Sequence, residues 1–287
     1  MFVIKHILFP VDFSARTCGS VPFVAAMAAR FGAGLTVMGV APPIPYGGMI
    51  DPSGLALMDP EDLRDDLQAR LDHTYVKEFS NLPVQRIAEV GDPAELITQF
   101  AHSEGVDLIM MPTHGYGPFR RLLLGSVTAK VLHDAQCPVW TGAHMEQPMP
   151  DQLQCRSVLC AVDGTPKSTP VMEWAAQFSK EAGASLRLVH AIPAVETWPA
   201  RQSDLEFERA LRKDAGERIE RLKSSVGIDA PVSIVAGDIA ESVRDEARRR
   251  DADLIVIGRG VLDESFGRLR THAYGIIRQA ACPVISV

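Results

Sequence analysis

The chain has 287 residues, 46% of them hydrophobic and 23% charged, with a formal net charge of −7. That balance belongs to a globular protein of about two domains and excludes a disordered chain, a collagen-like repeat and a small disulfide scaffold. A net-negative chain is a poor general binder of nucleic acid or anionic membrane, and no apolar run reaches the roughly 18 residues of a membrane span.

The elements can be read in chain order. Residues 7–11 are a short apolar run ending at Asp12, which predicts a buried strand. Residues 20–31 are alanine-rich with one apolar face, and Gly32 follows; this predicts a helix with a glycine stop. Residues 35–40 predict a second strand. Residues 60–81 are charged, with Leu63, Leu67 and Leu71 at every fourth position, the spacing of an amphipathic helix. Residues 84–90 alternate and predict a third strand. Asp92-Pro93-Ala94-Glu95 reads as a helix start, with Asp as N-cap, Pro in the first turn and Glu three residues after the cap. Residues 108–111 predict a strand, 112–125 a glycine-containing loop, 126–134 a helix and 138–141 a last strand.

The second half repeats this order. Lys5-His-Ile-Leu-Phe-Pro-Val-Asp12 matches Arg156-Ser-Val-Leu-Cys-Ala-Val-Asp163, and Gly32-Ala-Gly-Leu35 matches Gly183-Ala-Ser-Leu186, both at an offset of 151. Gly91-Asp-Pro-Ala-Glu95 matches Gly237-Asp-Ile-Ala-Glu241, and Asp107-Leu-Ile-Met-Met111 matches Asp253-Leu-Ile-Val-Ile257, at 146. Cys137-Pro-Val matches Cys282-Pro-Val at 145. Matches in the same order with little drift mean two copies of one domain. The expected boundaries are 1–145 and 152–287, joined by a linker at 146–151. The first domain carries a net charge of −5 and the second of 0, with Glu146 and Asp151 in the linker.

Strand–helix alternation with short apolar strands predicts an α/β fold: two tandem, doubly wound, Rossmann-like domains, each with a five-stranded parallel sheet. Such sheets bind ligands beyond the carboxyl ends of their strands. Asp12 and the loop after Met111 lie at such ends.

In that loop, Pro112-Thr-His-Gly115 is followed by nine residues and then Gly125-Ser126. Glycines allow close backbone approach, and free amides at a helix start point at an anion. Ser126 is able to cap the helix or to donate its hydroxyl, and Arg120 and Arg121 sit in the same loop to add charge-assisted bonds.

Together with the tandem repeat, these residues resemble the universal stress protein family. Nucleotide-binding members carry a Gly-x2-Gly-x9-Gly-Ser/Thr loop. Gly115, Gly125 and Ser126 match it, and Pro112 replaces the first glycine. Phe9-Pro10-Val11-Asp12-Phe13-Ser14 is similar to the family's opening strand, and Cys137-Pro-Val139 to its closing strand. The resemblance implies an adenine nucleotide-binding fold and a cofactor that is ATP or AMP, with Mg as an optional companion. It implies that Pro10, Val11 and Asp12 border the adenosine, with Asp12 near the ribose and Val40 against the base. Met111, Pro112, Gly115, Gly125, Ser126, Val127 and Thr128 would then surround the ribose and phosphates. Pro112 removes one backbone donor.

The second domain departs further. Its loop begins Gly258-Arg259-Gly260-Val261 and is one residue shorter, and Arg270-Thr271 replaces the Gly-Ser pair. A side chain at that glycine obstructs close phosphate approach, so poor nucleotide binding is expected there. Arg259, Arg268 and Arg270 leave open a smaller anion.

Other features read more plainly. His114 is a loop residue, and the remaining seven histidines lack metal-ligand spacing. Arg248-Arg249-Arg250 reads as the solvated end of a helix. Cys137 and Cys282 read as packing residues, and five cysteines without a C-x-x-C pair fit a reducing, cytoplasmic setting. The apolar start is interrupted by Lys5 and His6, unlike a signal peptide. No P-loop, G-x-S-x-G elbow or H-E-x-x-H motif occurs, so at most a slow ATP hydrolysis is expected and no catalytic residue is nominated. The expectation is a cytoplasmic stress-response protein that senses nucleotide and signals to a protein partner. The alternatives are a nucleotide-independent scaffold and a weak ATP hydrolase. The closing strands 138–141 and 283–287 are expected to join the domains as an intrachain pseudo-dimer, with homodimerisation of whole chains left open.

Overall fold

The computed structural model describes residues 4–42, 59–113, 124–142, 153–194, 202–259 and 271–287. The expected linker at 146–151 lies outside them. By contacts, residues 4–113 with 125–139 form one compact unit, and residue 124 with the described part of 140–287 forms the other.

In the first half the elements run β1 (His6–Val11), α1 (Ala15–Phe31), β2 (Gly34–Ala41), α2 (Pro60–Asp72), β3 (Val84–Val90), α3 (Pro93–Ser103), β4 (Leu108–Pro112), α4 (Ser126–Asp134) and β5 (Val139–Gly142). Their sheet order is β3-β2-β1-β4-β5. β1 pairs in parallel with β2 and β4, and β2 with β3. Ile7, Leu8 and Phe9 are fully buried, as expected of a strand covered on both faces. The winding order reverses between β1 and β4, the point at whose carboxyl ends sheets of this kind bind ligands.

Two boundaries differ from the sequence expectation. Helix α1 starts at Ala15 rather than at residue 20, because Ser14 is extended and its hydroxyl accepts from the Thr17 amide. Helix α2 ends at Asp72 rather than at residue 81. Tyr75 takes a left-handed backbone, φ 54°. That break lets Tyr75 and Phe79 pack on Phe9, with ring centroids 6.2 and 6.3 Å away. Ring packing outweighs the helical periodicity there.

The second half runs β6 (Ser157–Ala161), a 3-10 turn (Pro166–Ser168), α5 (Thr169–Ala182), β7 (Ser185–Ile192), α6 (Gln202–Val226), β8 (Val232–Ala236), α7 (Ile239–Arg249), β9 (Leu254–Ile257), α8 (Thr271–Gln279) and β10 (Val284–Ser286). Its sheet order, β8-β7-β6-β9-β10, repeats that of the first half. All four pairings are parallel where the register is defined, as in β6 with β7 and β9. The same stop glycine recurs: Gly32 ends α1 at φ 61° and Gly183 ends α5 at φ 64°. Among the described residues, no helix is long and apolar enough to cross a membrane.

Candidate functional site

Parallel pairing brings the carboxyl ends of β1, β2 and β4 to one edge of the first sheet. Pro10, Val11, Met111 and Pro112 are buried there, Val40 is half-buried, and Asp12 is exposed just beyond β1. The sequence-expected residues of these strands therefore share one edge. Gly115 lies outside the described residues, as do His114, Arg120 and Arg121.

The two ends of the β4–α4 connection are tied together. The Gly125 amide donates to the Thr113 carbonyl at 2.8 Å. The buried Thr128 hydroxyl donates to the Pro112 carbonyl at 3.1 Å. These bonds set the start of α4 directly against the end of β4, whatever path the connection takes. They also occupy a donor of each of two residues that the resemblance places around the ribose and phosphates, the Gly125 amide and the Thr128 hydroxyl.

What remains are the first-turn amides of α4. Helices α1, α2 and α3 each close their first turn with a side chain, from Ser14, Asp59 and Asp92. Helix α4 begins after Gly125, which has no side chain to accept from them. Among the described residues, nothing accepts from the amides of Ser126, Val127 and Thr128. Such a turn carries partial positive charge and bare donors. Ser126 is exposed beside it. Gly125 has φ −62° and ψ 147°, so it is there for its missing side chain and not for a left-handed backbone.

Asp12 is oriented by its own turn. Its Oδ1 accepts from the Ser14 amide at 3.0 Å and from the Thr17 hydroxyl at 2.5 Å. Between them Phe13 adopts φ 60°, a strained conformation for a bulky residue. The Arg70 guanidinium lies 3.7 Å from the Phe13 ring centroid. At the next helix start, Asp92 caps α3 and bonds Lys130 of α4 at 3.1 Å. The Glu95 amide and then Lys130 hold the Asp92 carboxyl below its ordinary pKa.

The second half repeats the aspartate turn. Asp163 Oδ1 accepts from the Thr165 amide and hydroxyl, both at 2.8 Å, and from the Ser168 hydroxyl at 2.5 Å. Gly164, at φ 74°, takes the position of Phe13. Burial alone would raise the Asp163 pKa, but the Ser168 and Thr165 donors and nearby His190 outweigh it and hold the carboxyl below its ordinary range. Gly258 and Arg259 are described at the end of β9, whereas Gly260, Val261, Arg268 and Arg270 lie outside the described residues. Sequence reasoning missed Thr17, Arg70 and Ser168. Thr17 and Ser168 were findable, because they align at the same offset of 151 as the two aspartates. Among the described residues, no cluster of three or more His, Cys, Asp or Glu is arranged to hold a metal.

A family model described as the universal stress protein family matches residues 4–141 and 155–287. Universal stress protein MJ0577 of Methanocaldococcus jannaschii is 45% identical over 56 residues, 20% of this chain and 35% of that protein. The universal stress protein in the QAH/OAS sulfhydrylase 3'region of Thermus aquaticus is 51% identical over 49 residues, 17% of this chain and 36% of that protein. The chain thus matches about a third of the length of these relatives. The crystal structure of a universal stress protein from Archaeoglobus fulgidus is similar with a TM-score of 0.69 at 20% identity, covering 99% of this chain and 96% of that one. At that identity the likeness speaks for the fold alone.

Proposed function

The chain belongs to the universal stress protein family, and from that premise we propose that its first repeat binds an adenine nucleotide, ATP or AMP, at the shared edge of β1, β2 and β4. The observation that carries this reading is the open first turn of α4. It offers the amides of Ser126, Val127 and Thr128 with no side-chain cap. Phosphate oxygens are the natural acceptors for such a turn. Asp12 keeps its second carboxylate oxygen for ribose hydroxyls, since among the described residues its donors, the Ser14 amide and the Thr17 hydroxyl, both reach Oδ1. Val40 and Val11 supply apolar surface for a base at the ends of adjacent strands.

The bound nucleotide acts as a signal. Occupancy alters the surface around the β4–α4 connection, and a protein partner reads that surface as part of a stress response. The residues gathered at this edge bind and orient; the reading assigns them no catalytic step.

Release of bound small molecules from the purified protein, followed by mass spectrometry, tests the reading. An adenine nucleotide near one per chain is expected. A protein that carries none and takes up none at millimolar ATP would be a nucleotide-independent scaffold. That second reading is favoured by one feature: the Gly125 amide and the Thr128 hydroxyl are already bonded within the protein.

A further inference from the structure

The second repeat encloses a cavity of about 440 Å³ at the carboxyl edge of β6, β7 and β9. That is the size range of a small-molecule site. Some of the cavity's wall positions are smaller than their counterparts in the first repeat, and others carry polar side chains in place of small or apolar ones. At the offsets of 151, 146 and 145 that align the halves, Val40 becomes Ala191, Pro112 becomes Gly258 and Thr128 becomes Ala273. Each change removes side-chain volume. At the same offsets Thr113 becomes Arg259 and Val127 becomes His272. The first adds a guanidinium and the second an imidazole ring. Lys167 lines the same cavity.

A second feature is buried. His190, only 8% exposed, lines the cavity in the position of Gly39. Its Nδ1 lies 2.8 Å from the Val162 carbonyl oxygen. A carbonyl only accepts, so Nδ1 carries the proton; in that tautomer Nε2 is the ring's acceptor. Among the described residues Nε2 has no hydrogen-bond partner. In the first repeat the corresponding space is filled differently: the Leu67 and Leu71 methyl carbons lie 3.1 Å from where a Gly39 side chain would begin. An apolar plug has been exchanged for a polar group facing the cavity.

We propose that this cavity binds a small organic anion that is not a nucleotide. The ligand has an apolar body, one carboxylate-type group and one O–H or N–H donor. Arg259 and Lys167 hold the anionic group through side-chain cations, which suit a planar carboxylate; the Asp163 carboxylate also lines the cavity, its Oδ1 taken up by Thr165 and Ser168. Val243, Ile257 and Ile276 support the apolar body. Nε2 of His190 accepts from the donor. The first repeat would grip an anion with bare helix amides, whereas the second grips one with side chains.

The test uses the full chain and the fluorescent probe 6-hydroxy-2-naphthoate, with 2-naphthol as a neutral control. The naphthoate is expected to bind saturably and at least about tenfold more tightly than the naphthol, the worth of a charge-assisted contact. Binding is expected to weaken about tenfold in Arg259→Ala. It also weakens in Lys167→Gln, whose exposed position leaves the fold intact. It is unchanged in Gly125→Asp and in the presence of ATP. Equal affinity for both probes, or affinity untouched in both second-repeat variants, would overturn the proposal. So would loss of the probe in Gly125→Asp, or ATP binding that is sensitive to Arg259→Ala and indifferent to Gly125→Asp.

Discussion

The Thr17 hydroxyl donates to the Asp12 carboxylate at 2.5 Å, and the Ser168 hydroxyl repeats the bond to Asp163 at 2.5 Å. Each bond spans five residues and fixes a carboxylate at the end of the first strand of its repeat. Thr17 is 1% exposed, so Thr17→Val keeps the packing and removes the hydroxyl, which also meets the Ser14 hydroxyl at 3.2 Å. Urea unfolding should show a loss of about 1 kcal/mol. ATP affinity should fall several-fold in the same variant, because Asp12 is no longer held by its stronger tether.

The residue after each aspartate is left-handed, Phe13 at φ 60° and Gly164 at φ 74°. Gly164→Ala should cost about 1–2 kcal/mol, because a β-carbon is disfavoured in that backbone. The new methyl would also meet His190 Cε1 at 3.4 Å. At Phe13 the strain is offset by the stacked Arg70. Phe13→Ala keeps the strain and loses the stack, so it should be less stable than Phe13→Gly. Thermal unfolding of the three variants checks this order.

The repeat was legible because strand ends and glycine stops recur at fixed offsets. The alternation from residue 7 to residue 141 therefore gave the sheet without help from contacts. Helix α4 spans 126–134 as the sequence predicts, opening at the Gly-Ser pair. The end of α2 was not legible. Leu63, Leu67 and Leu71 mark a helix, but nothing in their spacing announces that Tyr75 turns back onto Phe9. Nor does spacing reveal which donors a fold has consumed. The resemblance places Thr128 beside the ribose and phosphates, and its hydroxyl donates to the Pro112 carbonyl. The second-repeat cavity was hidden for a similar reason. Ala191 and Ala273 look unremarkable alone, and matter only beside the larger residues they replace.

Glu246 gives the protein a pH-dependent anchor. Burial would raise its pKa, but Ser233, Arg249 and Arg250 hold it below the ordinary value of 4.5. The Arg249 Nε donates at 2.7 Å and the Arg250 Nε at 3.1 Å. A lowered folded pKa adds stability that is complete above the unfolded value and is lost as pH falls through the folded one. Glu246→Gln should therefore unfold at lower temperature than the parent near neutral pH. The gap should close as the pH drops below the ordinary value. Melting curves across that range measure it.

The thiols should differ in reactivity. Burial pushes the Cys160 thiol up to about 12 and the Cys282 thiol likewise to about 12. Cys18 is exposed. A thiolate is the reactive form, so Ellman's reagent at pH near 8 should label Cys18 early and Cys160 only after denaturation. Cys18→Ser should remove the fast phase.

The open turn of α4 is tested most directly by calorimetric titration of ATP into the parent chain and into Gly125→Asp. Aspartate is favoured at this position and should cap the turn, raising stability by a few tenths of a kcal/mol, while its carboxylate occupies the amides and repels phosphate. The account predicts saturable binding in the parent and its loss in the variant, with the melting temperature unchanged or higher. Equal ATP binding by both chains, or none by the parent, would contradict it.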